Sequence, residues 1–260
     1  MSPPLIYVGC AGWSLPPAYR KRFPASGSHL ECYAQRFPAV EINSSFYRPH
    51  RPATYAKWAA SVPASFRFSV KLPKTITHEN RLAGVKNLLE TFLGEVTTLG
   101  DKLGALLVQL PPSLTFDARV AGAFFKLLRK KYKGIVMLEP RHPTWFTARV
   151  ELLLKGFRVG RVAADPATVA AGAEPGGWPD AAYFRLHGSP RMYYSSYTAA
   201  YLRRLAGRLR KTAASGHSVW CIFDNTAYGV ATGNAFDLLD NLQSPAPVRK
   251  KPASRRAPKK

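Results

Sequence analysis

The sequence predicts an α/β fold: a single TIM-type (β/α)8 barrel over residues 1–247, followed by a disordered polybasic tail over 248–260. Two observations predict it. About eight strand-length apolar runs alternate with helical patterns along the chain. Several of those runs also close on polar residues spaced i and i+2, which a strand sends to one face. Glu41 with Asn43, Glu139 with Arg141, and Arg185 with His187 are the clearest pairs. A doubly wound open sheet is the alternative. It would gather polar groups at one switch point, whereas here they end nearly every strand.

Residues 5–9 read as the first buried strand, and the Gly- and Pro-rich segment that follows reads as loop. A short helix over 29–37 leads to a strand over 39–43. A helix over 55–60 leads to a strand over 66–71. Residues 82–103 carry helical periodicity, with Leu88, Leu89, Phe92, Val96 and Leu99 on one side. The strand over 104–110 stops at Pro111 and Pro112. A basic amphipathic helix over 120–132 precedes the strand over 135–139. Then come a helix over 147–155, a strand over 157–164, and a Gly-rich loop over 171–179. A strand over 182–186, a helix over 198–215, a strand over 218–223 and a last helix over 234–242 complete the pattern.

Charged groups at strand C-terminal ends mark the active sites of α/β barrels. The predicted mouth holds Glu41, Asn43, Lys71, Gln109, Glu139, Arg141, Asp165, Arg185, His187 and Asn225. Glu41 and Glu139 are the acid–base candidates, and His187 and His78 the proton shuttles. Lys71, Arg141 and Arg185 suit an anion, and Asn43, Gln109 and Asn225 would orient it by hydrogen bonds. Trp13 and Tyr47 add aromatic surface for a substrate, and residues 191–197 read as a lid. No motif specifies a cofactor. A divalent metal on Glu41, Glu139, Asp165 and His187 is an option, although no two have a local ligand spacing. A plug of ion pairs would also account for the same residues. Cys10 ends the first strand but reads as an inert small side chain.

Lys and Arg number 38 against 15 Asp and Glu, a net charge of +23. Basic residues separated by Pro and Ala fill the tail, yet the rest of the chain also stays basic. Nucleic acid is therefore one candidate partner, an anionic small molecule another, and generic solubility the bland account of the charge. The three cysteines have no zinc-like spacing and fit a reducing cytoplasm. No signal peptide or apolar stretch long enough to span a membrane is visible.

Several segments together resemble the domain of unknown function 72 (YecE-like) family. They are Gly9-Cys10-Ala11-Gly12-Trp13-Ser14, Val40-Glu41-Ile42-Asn43-Ser44-Ser45-Phe46-Tyr47-Arg48, Phe68-Ser69-Val70-Lys71 with Ile76-Thr77-His78, Gln109-Leu110-Pro111-Pro112-Ser113, Glu139-Pro140-Arg141-His142 with Trp145, Tyr183-Phe184-Arg185-Leu186-His187-Gly188, and Phe223-Asp224-Asn225-Thr226 with Asn234-Ala235. The resemblance implies a TIM barrel and supplies no reaction. Cys10-Ala11 and Asp224 depart from the usual pattern, and the tail lies outside it. The expected activity is an enzyme of hydrolase or lyase/isomerase type, with a nucleic-acid-binding or repair-linked protein as the rival.

Overall fold

Two mostly parallel sheets, flanked by helices, make up a mixed α/β fold. The structure is a computed structural model and describes residues 6–244; the predicted tail lies outside them. In chain order the elements are β1 Ile6–Cys10, α1 His29–Ala34, β2 Ala39–Ile42, α2 Pro52–Ala60, β3 Arg67–Lys71, α3 Lys86–Val96, β4 Leu103–Gln109, α4 Ala118–Lys131, β5 Ile135–Glu139, α5 Ala148–Gly156, β6 Val159–Arg161, β7 Ala163–Asp165, β8 Gly176–Gly177, β9 Ala181–Leu186, α6 Ala199–Ala213, β10 Ser218–Phe223 and α7 Val230–Gln243.

Side-chain caps set many helix starts. Ser28 forms a capping box with Glu31, and Asp117, Thr147 and Thr198 each accept from a first-turn backbone N–H. The helix predicted over 82–103 is shorter than expected. It begins at Lys86, and a tight turn at Thr97–Lys102 contains Gly100 at φ 55°, which only glycine adopts without strain. The strand predicted over 157–164 is divided into β6 and β7 around Val162.

One sheet runs β1-β10-β9-β7 and the other β2-β3-β4-β5-β6-β8; every pairing is parallel except β6 with β8. Two junctions tie the sheets together. At one, Ala11 bridges Glu41, and Gly12 N–H donates to the Glu41 carbonyl at 2.9 Å. At the other, Val162 N–H donates to the Leu138 carbonyl at 2.9 Å, after which β7 pairs with β9.

Strands buried on both faces explain the near-continuous apolar runs. One face packs on the helices in the large core, through residues such as Val8, Val40, Phe68, Leu106, Val136, Phe184 and Phe223. The alternate residues form a smaller cluster drawn from both sheets: Tyr7, Ala39, Ala105, Leu107, Met137, Val162, Tyr183, Trp220 and Ile222. Trp220 stacks between Tyr7 and Tyr183, with ring centroids 4.8 and 6.0 Å away. The polar residues of interest continue this second set toward the strand ends.

The β1–β2 junction depends on a missing side chain. Tyr33 of α1 accepts from Cys10 N–H at 2.8 Å and donates to the Ala39 carbonyl at 3.1 Å. A Cβ on Gly9 would strike that same carbonyl and crowd the Tyr33 hydroxyl. Gly9→Ala should therefore lower stability by about 1–3 kcal/mol through overpacking. Urea unfolding measures this, and an unchanged midpoint would mean that the two strands can part at no cost.

Candidate functional site

Strand phase delivers the site. Glu41 on β2, Ser69 and Lys71 on β3, Glu139 on β5 and Arg185 on β9 share the face that carries the small inner cluster. Beyond the last strand residues, Arg141, His187 and Asp224 extend the same alternation. Five strands thus bring Glu41, Lys71, Glu139, Arg141, Arg185, His187 and Asp224 to one end of the fold.

Arg185 is the hub and is fully buried. Its Nε and Nη2 donate to the two oxygens of Glu41 at 3.0 and 2.7 Å, a bidentate pair. Nη1 donates to Glu139 Oε2 at 3.2 Å, and Nη2 lies 3.0 Å from Asp224 Oδ2. Tyr183 steadies Glu41 by donating to Oε2 at 2.9 Å. Burial alone would raise the carboxylate pKa of Glu139. Arg141, Arg185 and His187 outweigh it and hold the group well below the usual range. Asp224 is lowered against the same burial by Arg185 and His187. Burial opposes the Arg185 cation, but Asp224, Glu41 and Glu139 raise its pKa further above the ordinary value.

His187 is enclosed between carboxylates. Its Nδ1 is 3.0 Å from Asp224 Oδ2 and its Nε2 is 2.9 Å from Glu139 Oε1. Arg141 Nη2 reaches both Nε2 and Glu139 Oε1 at 2.5 Å. With Nδ1–H donating to Asp224, Nε2 stands where a proton can pass to or from a neighbour. Arg141 Nε is a buried donor without a partner, and Asn43 Oδ1 a buried acceptor without one. Buried polar atoms rarely stay unsatisfied, so each calls for a water or a ligand as partner. The Tyr193 ring lies edge-on to His187, with centroids 5.8 Å apart, in the segment predicted as a lid.

Lys71 differs from the other cations. It is 5% exposed, and its Nζ lies 3.9 Å above the Phe46 ring rather than on a carboxylate. Burial first, then the Arg185 charge, brings its pKa down to about 8. His78 packs edge-on to the same Phe46 ring at 4.8 Å, and its Nδ1 is 2.8 Å from Thr77 Oγ1. Burial and the Lys71 charge lower its pKa.

Several predicted site residues do not join the cluster. Asp165 faces α6, accepting from Tyr197 and Tyr201 hydroxyls at 2.9 and 3.0 Å, because β7 turns alternate residues outward. Asn225 is also out of phase. Its Nδ2 donates to the Ser195 carbonyl and to Asn234 Oδ1, both at 2.9 Å, so it ties loops together. Trp13 packs on Trp58 at 5.0 Å, and Tyr47 is 68% exposed against Phe46. Gln109 ends β4 in register with Glu139. The alternative metal set is broken up. Asp165 points elsewhere, Glu41 and Glu139 face guanidiniums, and among the described residues no group of three His, Cys, Asp or Glu is arranged to hold a metal. Burial pushes the Cys10 thiol up to about 12, in keeping with an inert side chain.

Asp224 and Tyr183 were not predicted as site residues. Counting back by two from Asp224 gives Ile222 and Trp220, both in the inner cluster, so strand phase marks Asp224 rather than Asn225. Tyr183 precedes Arg185 by the same step.

A family model described as "Protein of unknown function DUF72" matches residues 7–258, and so takes in most of the tail that the sequence resemblance leaves outside. UPF0759 protein YecE of Escherichia coli (strain K12) is 32% identical over 143 residues, covering 55% of this chain and 50% of YecE. The chain spans about half the length of the curated relatives it matches. Two solved DUF72 family structures share its fold. One, from Enterococcus faecalis, has a TM-score of 0.78 at 22% identity and covers 93% of this chain and 96% of its own. Another, from Thermotoga maritima, has a TM-score of 0.76 at 23% identity and covers 92% and 99%. Among the described residues no helix is long and apolar enough to cross a membrane.

Proposed function

The chain belongs to the DUF72 family of proteins of unknown function, and from that premise we propose an enzyme that performs acid–base chemistry on an anionic substrate at the mouth of a TIM-type barrel. The barrel reading is supported by the two junctions between the sheets and by the apolar cluster they jointly enclose. The function rests on one observation: a buried imidazole lies between two carboxylates and beside a guanidinium that still has an unused donor. Burying so many charges is costly. The unpaired Arg141 Nε supports a site that takes a ligand over a closed plug.

Roles follow from the contacts. Glu41 and Arg185 form the scaffold. Glu139 and Asp224 orient His187, because carboxylates held well ionised are weak bases near neutrality. His187 carries the proton, held between the two carboxylates. Arg141 and Lys71 hold the anion. The overall reaction is of hydrolase or lyase/isomerase type. The buried free thiols of Cys10, Cys32 and Cys221 support a reducing, cytoplasmic setting.

A second reading, nucleic-acid binding at the same mouth, is favoured by the net charge of +23. Thermal melting of the wild type and Arg141→Ala against phosphorylated and carboxylated metabolites and a short single-stranded oligonucleotide separates the two. Small anions should raise the wild-type melting temperature and leave that of Arg141→Ala unchanged. A shift by the oligonucleotide alone, lost in Arg141→Ala, would favour the second reading. No shift with any probe would remove both.

A further inference from the structure

Among the cations of the cluster, only Lys71 can become a nucleophile, and its surroundings point that way. Its amine ends β3 on the same face as Glu41 and Arg185, with the Phe46 ring beneath it and no carboxylate on it within ion-pair distance among the described residues. An ammonium group has three donors to satisfy. Here the protonated form gains a ring face and faces the Arg185 cation, with His78 alongside. Glu41 from β2, Glu139 from β5 and Asp224 after β10 oppose that repulsion from a distance, their oxygens already engaged by guanidiniums.

We infer that Lys71 is an imine-forming residue, and that the substrate is an aldehyde or ketone carrying a carboxylate or phosphate which Arg141 holds. The inference rests on the acid–base reading of the same site and names its substrate class. The step balances. The neutral Nζ lone pair forms a bond to the carbonyl carbon, the carbonyl oxygen takes a proton, and the carbinolamine results. Nitrogen then loses a proton, the hydroxyl leaves as water, and a C=N bond joins Lys71 to the substrate. No oxidant or reductant is needed. The imine withdraws electrons from the neighbouring carbon, and on the acid–base reading His187 takes or returns a proton there.

The test traps the imine on the full-length chain with glyoxylate, an aldehyde bearing a carboxylate, and cyanoborohydride, followed by peptide mapping. Lys71 should acquire a carboxymethyl group about tenfold faster than exposed lysines such as Lys57, since a pKa near 8 leaves far more free amine at neutral pH. Its labelling rate should climb as pH rises to about 8 and then level off. Arg141→Ala should slow labelling of Lys71 and leave Lys57 unaffected. Labelling of Lys71 no faster than Lys57 overturns the inference. If anions still shift the melting temperature in that case, the acid–base reading stands without the imine. Selective labelling alongside a substrate whose turnover survives loss of His187 would keep Lys71 and remove the acid–base assignment.

Discussion

Arg185→Met is expected to lower the unfolding free energy by about 3–5 kcal/mol, measured by urea at neutral pH. The arginine is fully buried and contacts three carboxylates, of Glu41, Glu139 and Asp224. Methionine fills much of the volume but leaves those charges opposed by Arg141, which reaches Glu139, by His187 between Glu139 and Asp224, and by Lys71. Adding Glu41→Gln to Arg185→Met should recover part of the loss, because position 41 is then no longer a buried anion without a cationic partner. The pH dependence gives a second readout. In the wild type, Glu139 and Asp224 have lowered pKa values, so their stabilisation is present above the unfolded carboxylate range and is lost as pH falls through the folded values. Without the guanidinium the buried carboxylates take up protons more readily. The gap between variant and wild type should therefore narrow as pH falls from about 7 to about 4. A constant gap would mean that Arg185 acts through packing alone.

Much of this arrangement is legible in the sequence because each strand carries its own phase. The runs around Leu106, Val136 and Cys221 are apolar on both faces, and the observed strands fall within a few residues of the predicted ones. Glu41, Glu139, Arg185 and His187 sit one or more steps of two along from residues of the inner cluster, and the structure brings them into direct contact. Phase also accounts for the errors. Asp165 and Asn225 are polar and end strands, yet each is one residue out of step, and one residue reverses the face. Asp224, in step, passes for an ordinary turn residue until its phase is counted. What periodicity cannot supply is contact between elements. The Phe46 ring under Lys71 comes from the turn after β2, and Tyr193 reaches His187 from a loop beyond β9. The free donor of Arg141 is likewise a property of three-dimensional surroundings.

His187→Ala should reduce turnover of any substrate found among the anions by about 10²–10⁴-fold, the usual contribution of a positioned acid–base group. The imidazole lies between Glu139 Oε1 and Asp224 Oδ2, and Arg141 is 2.5 Å from the same Nε2. Both carboxylates are held ionised by their neighbours, which makes them fixed acceptors rather than groups that cycle protons. A structural histidine at this position would also destabilise the fold on removal, so loss of activity alone does not decide its role. Chemical rescue does. Alanine leaves a void bounded by two carboxylates, and free imidazole entering it would meet the same hydrogen-bond partners. Added imidazole should restore part of the turnover, with a rate that follows the fraction of imidazole in the required protonation state. Substituted imidazoles of different pKa should shift that profile accordingly. A structural plug would regain stability with imidazole but no turnover, and that outcome would return His187 to the ion-pair network and leave Lys71 as the reactive group of the mouth.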